Sequence, residues 1–200
     1  DYGPLFGLPP GSGTIGGANI TNVAVSCATT EVTIGGTVSG LEGAGLRLQN
    51  NGGPPLPIAA NGPFTFPASV PTGSSYNVTI ADQPTNPAQT CAVSNGTGTA
   101  SGNVTNVTIT CTTERFTIGG RISGIGGPMG GILILQNNGG ETVSRNNDGP
   151  FTFPTPLASG ASYNVTIAAA PMGRDCTVTN GQGTVANAPI TNVEVECTRP

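Results

Sequence analysis

The sequence repeats itself, and the repeat fixes the size of unit that has to fold. Thr33-Ile34-Gly35-Gly36-Thr37-Val38-Ser39-Gly40 returns as Thr117-Ile118-Gly119-Gly120-Arg121-Ile122-Ser123-Gly124. Leu48-Gln49-Asn50-Asn51-Gly52-Gly53 returns as Leu135-Gln136-Asn137-Asn138-Gly139-Gly140. Gly62-Pro63-Phe64-Thr65-Phe66-Pro67 comes back at 149–154, and Ser75-Tyr76-Asn77-Val78-Thr79-Ile80 at 162–167. A period of about 85 residues suits one sandwich of about seven strands per copy. The expected organisation is an N-terminal segment over 1–30, one β-sandwich over 31–113 and a second over 114–200.

Within each copy, apolar residues alternate with Thr, Asn and Ser, and turn residues interrupt the runs roughly every 8 to 12 positions. In repeat 1 this places strands at 32–39, 45–50, near 56–60, at 63–67, 75–81, 90–95 and 104–111. Val32, Ile34 and Val38 point inward, as do Leu46 and Leu48, Phe64 and Phe66, and Tyr76, Val78 and Ile80. Cys91 and Val93, then Val107, Ile109 and Cys111, complete the inward set. With 32 Gly and 18 Pro, the chain would read as disordered without this alternation. The expected fold class is all-β: two tandem immunoglobulin-like or transthyretin-like sandwiches preceded by one extra strand.

That extra strand comes from the N-terminal segment. Gly11-Ser12-Gly13-Thr14, through Ile20-Thr21-Asn22-Val23-Ala24-Val25-Ser26-Cys27, aligns without a gap to Gly181-Gln182-Gly183-Thr184, through Ile190-Thr191-Asn192-Val193-Glu194-Val195-Glu196-Cys197. Residues 14–27 thus copy the last strand of a repeat, with Phe6 standing where the preceding Cys belongs. A lone amphipathic strand is not stable by itself and must join a sheet edge. If the edge lies in the same chain, the segment caps repeat 1. If it lies in another copy, the contact is a strand addition that propagates.

Gly36-Thr37-Val38-Ser39-Gly40-Leu41, followed by Asn61-Gly62-Pro63-Phe64 and Gly73-Ser74-Ser75-Tyr76-Asn77-Val78, resembles transthyretin-like domains of the carboxypeptidase-regulatory kind. The whole repeat is similar to tandem modules of large secreted bacterial proteins and adhesins. The resemblance covers about 31–113 and 114–198. It implies a sandwich fold and an extracellular address, and it brings no catalytic residues with it.

The residue inventory narrows the chemistry. With no His and no Lys, Ser-His-Asp and Cys-His nucleophile systems and Schiff-base chemistry are excluded, as is a Lys–Asn isopeptide cross-link. Glu194 and Glu196 fall on the solvent side of a strand, and Glu31, Glu42 and Glu141 lie near turns. Asn146-Asn147-Asp148-Gly149 superficially resembles a calcium loop, but repeat 1 offers only Ala60-Asn61-Gly62 there, so a turn is the expectation. The Gly35-Gly36 and Gly119-Gly120 pairs sit inside strands, as bulges or points of close approach rather than phosphate cradles. No catalytic residue, metal ligand or cofactor is expected, and the chain is read as a non-enzyme.

Six N-x-T sequons occur, at Asn19, Asn77, Asn95, Asn103, Asn106 and Asn164. Asn77 and Asn164 face outward and are the candidate glycosylation acceptors. Five cysteines suit an oxidising compartment. Cys91 and Cys111 lie symmetrically about Ser101, and Cys176 and Cys197 about Ala186-Asn187, so hairpins turning there would pair them. The rival connectivity is Cys27–Cys91 with Cys111–Cys176. Either leaves one Cys over, Cys27 or Cys197.

A net charge of −4 with no basic patch gives no footprint for nucleic acid, and no apolar run spans a membrane. The localisation expected is extracellular, secreted or cell-surface, with a signal peptide absent or already removed. Ile132 and Ile134 point opposite to Leu133 and Leu135, where repeat 1 has Arg47 opposite Ile134, a one-sided apolar face suited to an asymmetric junction or to core packing by a bulge. The expected function is an extracellular fibre subunit. Its partners are other copies of itself, head to tail, through Ile20, Val23 and Val25 of the N-terminal strand. A surface anchor or tip protein is a further candidate partner. The alternatives are the stalk of a larger adhesin and a carbohydrate-binding or enzyme-appended module; the absence of Trp and the few Tyr count against a sugar platform.

Overall fold

The computed structural model describes residues 16–17, 28–126 and 131–200. The chain divides into two compact units, Asp1–Thr30 and Glu31–Pro200, and the second contains both repeats. Its described residues are strands and turns without helix. Repeat 1 comprises β1 (Glu31–Val32), β2 (Ile34–Ser39), β3 (Arg47–Asn50), β4 (Leu56–Pro57), β5 (Gly62–Thr65), β6 (Val70–Pro71), β7 (Ser75–Asp82), β8 (Gln89–Ser94), β9 (Thr97–Thr99) and β10 (Val104–Thr113). Repeat 2 comprises β11 (Arg115–Phe116), β12 (Ile118–Ser123), β13 (Leu133–Asn137), β14 (Thr142–Arg145), β15 (Gly149–Thr152), β16 (Leu157–Ala158), β17 (Ser162–Ala169), β18 (Asp175–Thr179), β19 (Gln182–Thr184) and β20 (Ile190–Thr198).

Each repeat is an immunoglobulin-like sandwich of two four-stranded sheets. The orders are β5-β2-β10-β8 and β4-β3-β7-β9 in repeat 1, then β15-β12-β20-β18 and β14-β13-β17-β19 in repeat 2. Eight strands therefore stand where the alternation indicates seven. The added one is β9, Thr97-Gly98-Thr99, which pairs with β7 and has no apolar residue to announce it. The chain leaves β8 at Asn95, whose φ of 56° is a left-handed turn that Asn tolerates. It crosses to the other sheet as β9 and only then returns as β10. The simple hairpin expected about Ser101 is thus interrupted, although β8 and β10 remain neighbours.

The first and last long strands of a repeat lie side by side and parallel, β2 with β10 and β12 with β20, each with a register shift near its start. The paired glycines belong to this contact. A Cβ on Gly36 would overlap the carbonyl oxygen of Val107, and one on Gly120 would overlap that of Val193, so the strands close only where a side chain is missing.

Burial follows the alternation. Ile34, Leu46, Leu48, Val107 and Ile109 fill one core; Ile118, Leu133, Leu135, Phe151, Phe153 and Val193 fill the other. Phe64 meets Phe66 edge-on at 5.8 Å, and Phe151 meets Phe153 at 6.0 Å. Two-residue pairings, β1 with β6 and β11 with β16, tie the entry of each repeat to its sandwich.

Candidate functional site

Cys91 is disulfide-bonded to Cys111 and Cys176 to Cys197, with Cα atoms 3.9 and 4.0 Å apart. These bonds use four of the five cysteines, so the rival connectivity through Cys27 is not the one present. Cys27 itself, together with Ile20, Val23 and Val25, lies outside the described residues. Asn77 and Asn164 sit exposed on β7 and β17. Other sequon residues have structural tasks: Asn95 Nδ2 donates to Asn106 O at 3.2 Å, and Asn103 Oδ1 accepts from Thr33 N at 2.9 Å. Asp148 Oδ1 accepts from Ile125 N at 2.7 Å, as Asn61 Oδ1 accepts from Leu41 N at 2.7 Å. The acidic-looking loop of repeat 2 therefore ties down the same turn as its neutral counterpart.

The disulfides also orient a sheet edge. Directly opposed residues this close form a non-hydrogen-bonded pair, so the backbone N–H and C=O of Cys91 and Cys176 point away from β10 and β20. They face outward, along the free side of the edge strands β8 and β18. In repeat 1 the Gln83 side chain occupies that side: its Oε1 accepts from Cys91 N at 2.8 Å and its Nε2 donates to Cys91 O at 3.1 Å. In repeat 2 the corresponding residue is Ala170, which has no group to offer. Beside β18 runs a groove of about 260 Å³ lined by Val165, Ile167 and Val178. The β18 edge is the more accessible of the two.

The repeats meet through a network that sequence reasoning missed. Ser159, only 6% exposed, accepts a hydrogen bond from Ala88 N at 2.8 Å and donates to Ala186 O. Glu114 N donates to Ala88 O at 2.9 Å, and Ser159 N donates to Glu114 O at 2.8 Å. Gln89, 2% exposed, braces the same end of repeat 1. Its Oε1 accepts from Glu42 N and Gly43 N, both at 2.8 Å, and its Nε2 donates to Gly40 O at 2.8 Å and Thr113 Oγ1 at 3.1 Å. All four bonding positions of a buried amide are filled, as burial requires. Repeat 2 has Arg174 in place of Gln89 and two fewer residues before its Cys: 13 positions from Tyr163 to Cys176, against 15 from Tyr76 to Cys91. That length difference was the available sequence signal for a specialised junction.

No family model matches this chain, and no curated protein matches it either. Among solved structures it is similar to the TIE protein of Bacillus anthracis, at 13% identity and a TM-score of 0.50, over 84% of this chain and 34% of that one. It is also similar to a streptococcal ancillary pilin, at 14% identity and a TM-score of 0.33 over 85% and 63% of the two chains. A third is the shaft pilin SpaA from Lactobacillus rhamnosus GG, at 10% identity and a TM-score of 0.29 over 86% and 99%. The chain thus spans about a third of the Bacillus protein, and what the two share is the all-β sandwich architecture.

Proposed function

We propose that this chain is a non-catalytic structural subunit of an extracellular filament, joined head to tail by donation of its N-terminal strand. The observation that carries the reading is residues 14–27, which align without a gap to 184–197 and precede the two described sandwiches in the sequence. In each described repeat the corresponding strand is central, with partners on both sides: β10 lies between β2 and β8, and β20 between β12 and β18. Both repeats already own that strand, so neither has a vacancy at its centre, and a further copy of it can join either sandwich only at an edge.

The favoured acceptor is the β18 edge of a second copy. Its Cys176 backbone groups face outward uncapped, and the neighbouring groove offers Ile167 and Val178 to alternate apolar residues such as Val23 and Val25. Repeat 1 is protected from the same addition by Gln83. The two disulfides support an oxidising, extracellular setting.

Deleting residues 1–26 is expected to abolish filaments, and Ala170→Gln, which supplies the missing cap, is expected to slow their growth. A truncated chain that assembles at the wild-type concentration refutes strand donation. The hydrogen-bonded junction between repeats favours one other reading, a stiff spacer within a larger adhesin. A spacer stays monomeric with or without the N-terminal segment.

A further inference from the structure

The two repeats differ most at two places, and the differences are complementary. The first is on repeat 2. Ile134 faces Ala169 across the ladder where repeat 1 has Arg47 facing Asp82, an exposed ion pair of 3.3 Å. Ile132 replaces Gly45, and the turn after β17 presents Met172. Ile132 is 58% exposed and Met172 95%, and they are the large exposed hydrophobics among the described residues. They lie close together, because Gly131, next to Ile132, packs against Pro171 and the Met172 backbone. In repeat 1 the corresponding turn carries Asn86-Pro87-Ala88, whose Ala88 is covered by repeat 2. The apolar knob of repeat 2 therefore sits at its trailing end.

The second is on repeat 1. A groove of about 230 Å³ opens between Pro54, Phe66, Ala68 and Val70. In repeat 2 the counterparts of Pro54 and Ala68 are Glu141 and Thr155, and the Glu141 carboxylate accepts from Thr155 Oγ1 at 2.7 Å and Thr155 N at 3.2 Å. That pair bridges the groove of repeat 2, whereas Pro54 and Ala68 leave that of repeat 1 open and apolar. Val70 belongs to β6, the counterpart of β16, which ends next to the Ser159 that receives repeat 1. The groove thus sits at the leading end of repeat 1.

We infer that a second copy of this chain covers the knob: Met172 and Ile132 of one copy seat in the Pro54–Phe66–Ala68–Val70 groove of the next. The inference rests on the filament reading and adds a contact distinct from the donated strand. Within one chain the trailing end of repeat 1 meets the leading end of repeat 2 through Ala88 and Ser159, so a trailing-to-leading contact between copies keeps the polarity of that junction while using different residues. Both surfaces are uncharged, and the groove is smaller than the ~300 Å³ at which small-molecule pockets begin, a size for a side chain rather than a free ligand. Methionine is flexible enough to fill such an irregular gap. A contact between two unlike patches is heterologous and adds copies in one direction.

The test uses the full chain with Met172→Glu and, separately, Ala68→Glu, both at exposed positions, with sedimentation and light scattering as readouts and thermal unfolding as the check on folding. Each variant alone should need about tenfold more protein than wild type to elongate. Mixed in equal amounts, they should give one-to-one dimers, since one variant keeps an intact groove and the other an intact knob. If both elongate like wild type, the knob-and-groove contact is wrong while the filament reading stands. If wild type is monomeric at every concentration, both fall. If neither the variants nor their mixture associates while wild type does, the two surfaces are not partners and the knob-and-groove contact is wrong.

Discussion

Replacing Ser159 with Ala should loosen the joint between the repeats by an amount the structure allows to be worked out. The hydroxyl satisfies the Ala88 N–H, and both residues are buried. Without it that buried N–H faces a methyl group and loses its partner, a loss of about 1–3 kcal/mol. The Ala186 carbonyl, which also loses a partner, is exposed and regains one from solvent. The net effect is about 2 kcal/mol, which at ~2–4 °C per kcal/mol for a domain of this size lowers the melting midpoint by roughly 4–8 °C. Scanning calorimetry should show that drop, and the ratio of calorimetric to van't Hoff enthalpy should rise as the repeats begin to unfold separately. Ser159→Thr, which restores the residue that repeat 1 carries as Thr72, should recover most of the loss. A Ser159→Ala protein with an unchanged midpoint and a single transition would mean that this network does not couple the repeats.

Two further outcomes test the fold itself. Replacing Cys91 and Cys111 with Ser opens a bridge spanning 20 positions. Urea unfolding should then register a loss of about 3 kcal/mol, from a denatured chain freed of its loop. Gly120→Ala forces a Cβ onto the Val193 carbonyl and should cost at least about 3 kcal/mol, enough to show as lost soluble yield; Gly139→Ala, at a site with open space but a positive φ of 69°, should cost less.

What the sequence makes legible is the part of the fold written in alternation. Ile34 and Val38, Tyr76 and Val78, and Val107 and Ile109 repeat at a spacing of two because one side of each strand is dry, and the structure buries them all. β9 carries no such mark, since Thr97-Gly98-Thr99 is held by its backbone pairing with β7 and not by a buried side chain. For the same reason the route from β8 to β10 looked like a plain hairpin. The junction was hidden differently: Ser159, Gln89 and Gln83 act through hydrogen bonds, mostly to backbone groups outside their own strands. Polar residues in loops give no periodic signal, and only the two-residue length difference before Cys176 hinted that the ends of the repeats are built differently. The outward pair Ile132 and Ile134 was visible as an anomaly, but its position at the trailing end needed the ladder from Ile134 to Ala169.

The parallel pairing of β2 with β10 also governs how a repeat meets tension. A pull along the chain enters through the first strand and leaves through the last, and here those two are neighbours running the same way. The force runs along their shared ladder, so its hydrogen bonds are strained together in shear instead of being peeled one at a time. The Cys91–Cys111 bond then limits what yielding releases: residues 92–110 stay locked in a covalent loop, withholding about 65 Å of extension. A repeat built this way stretches late and little.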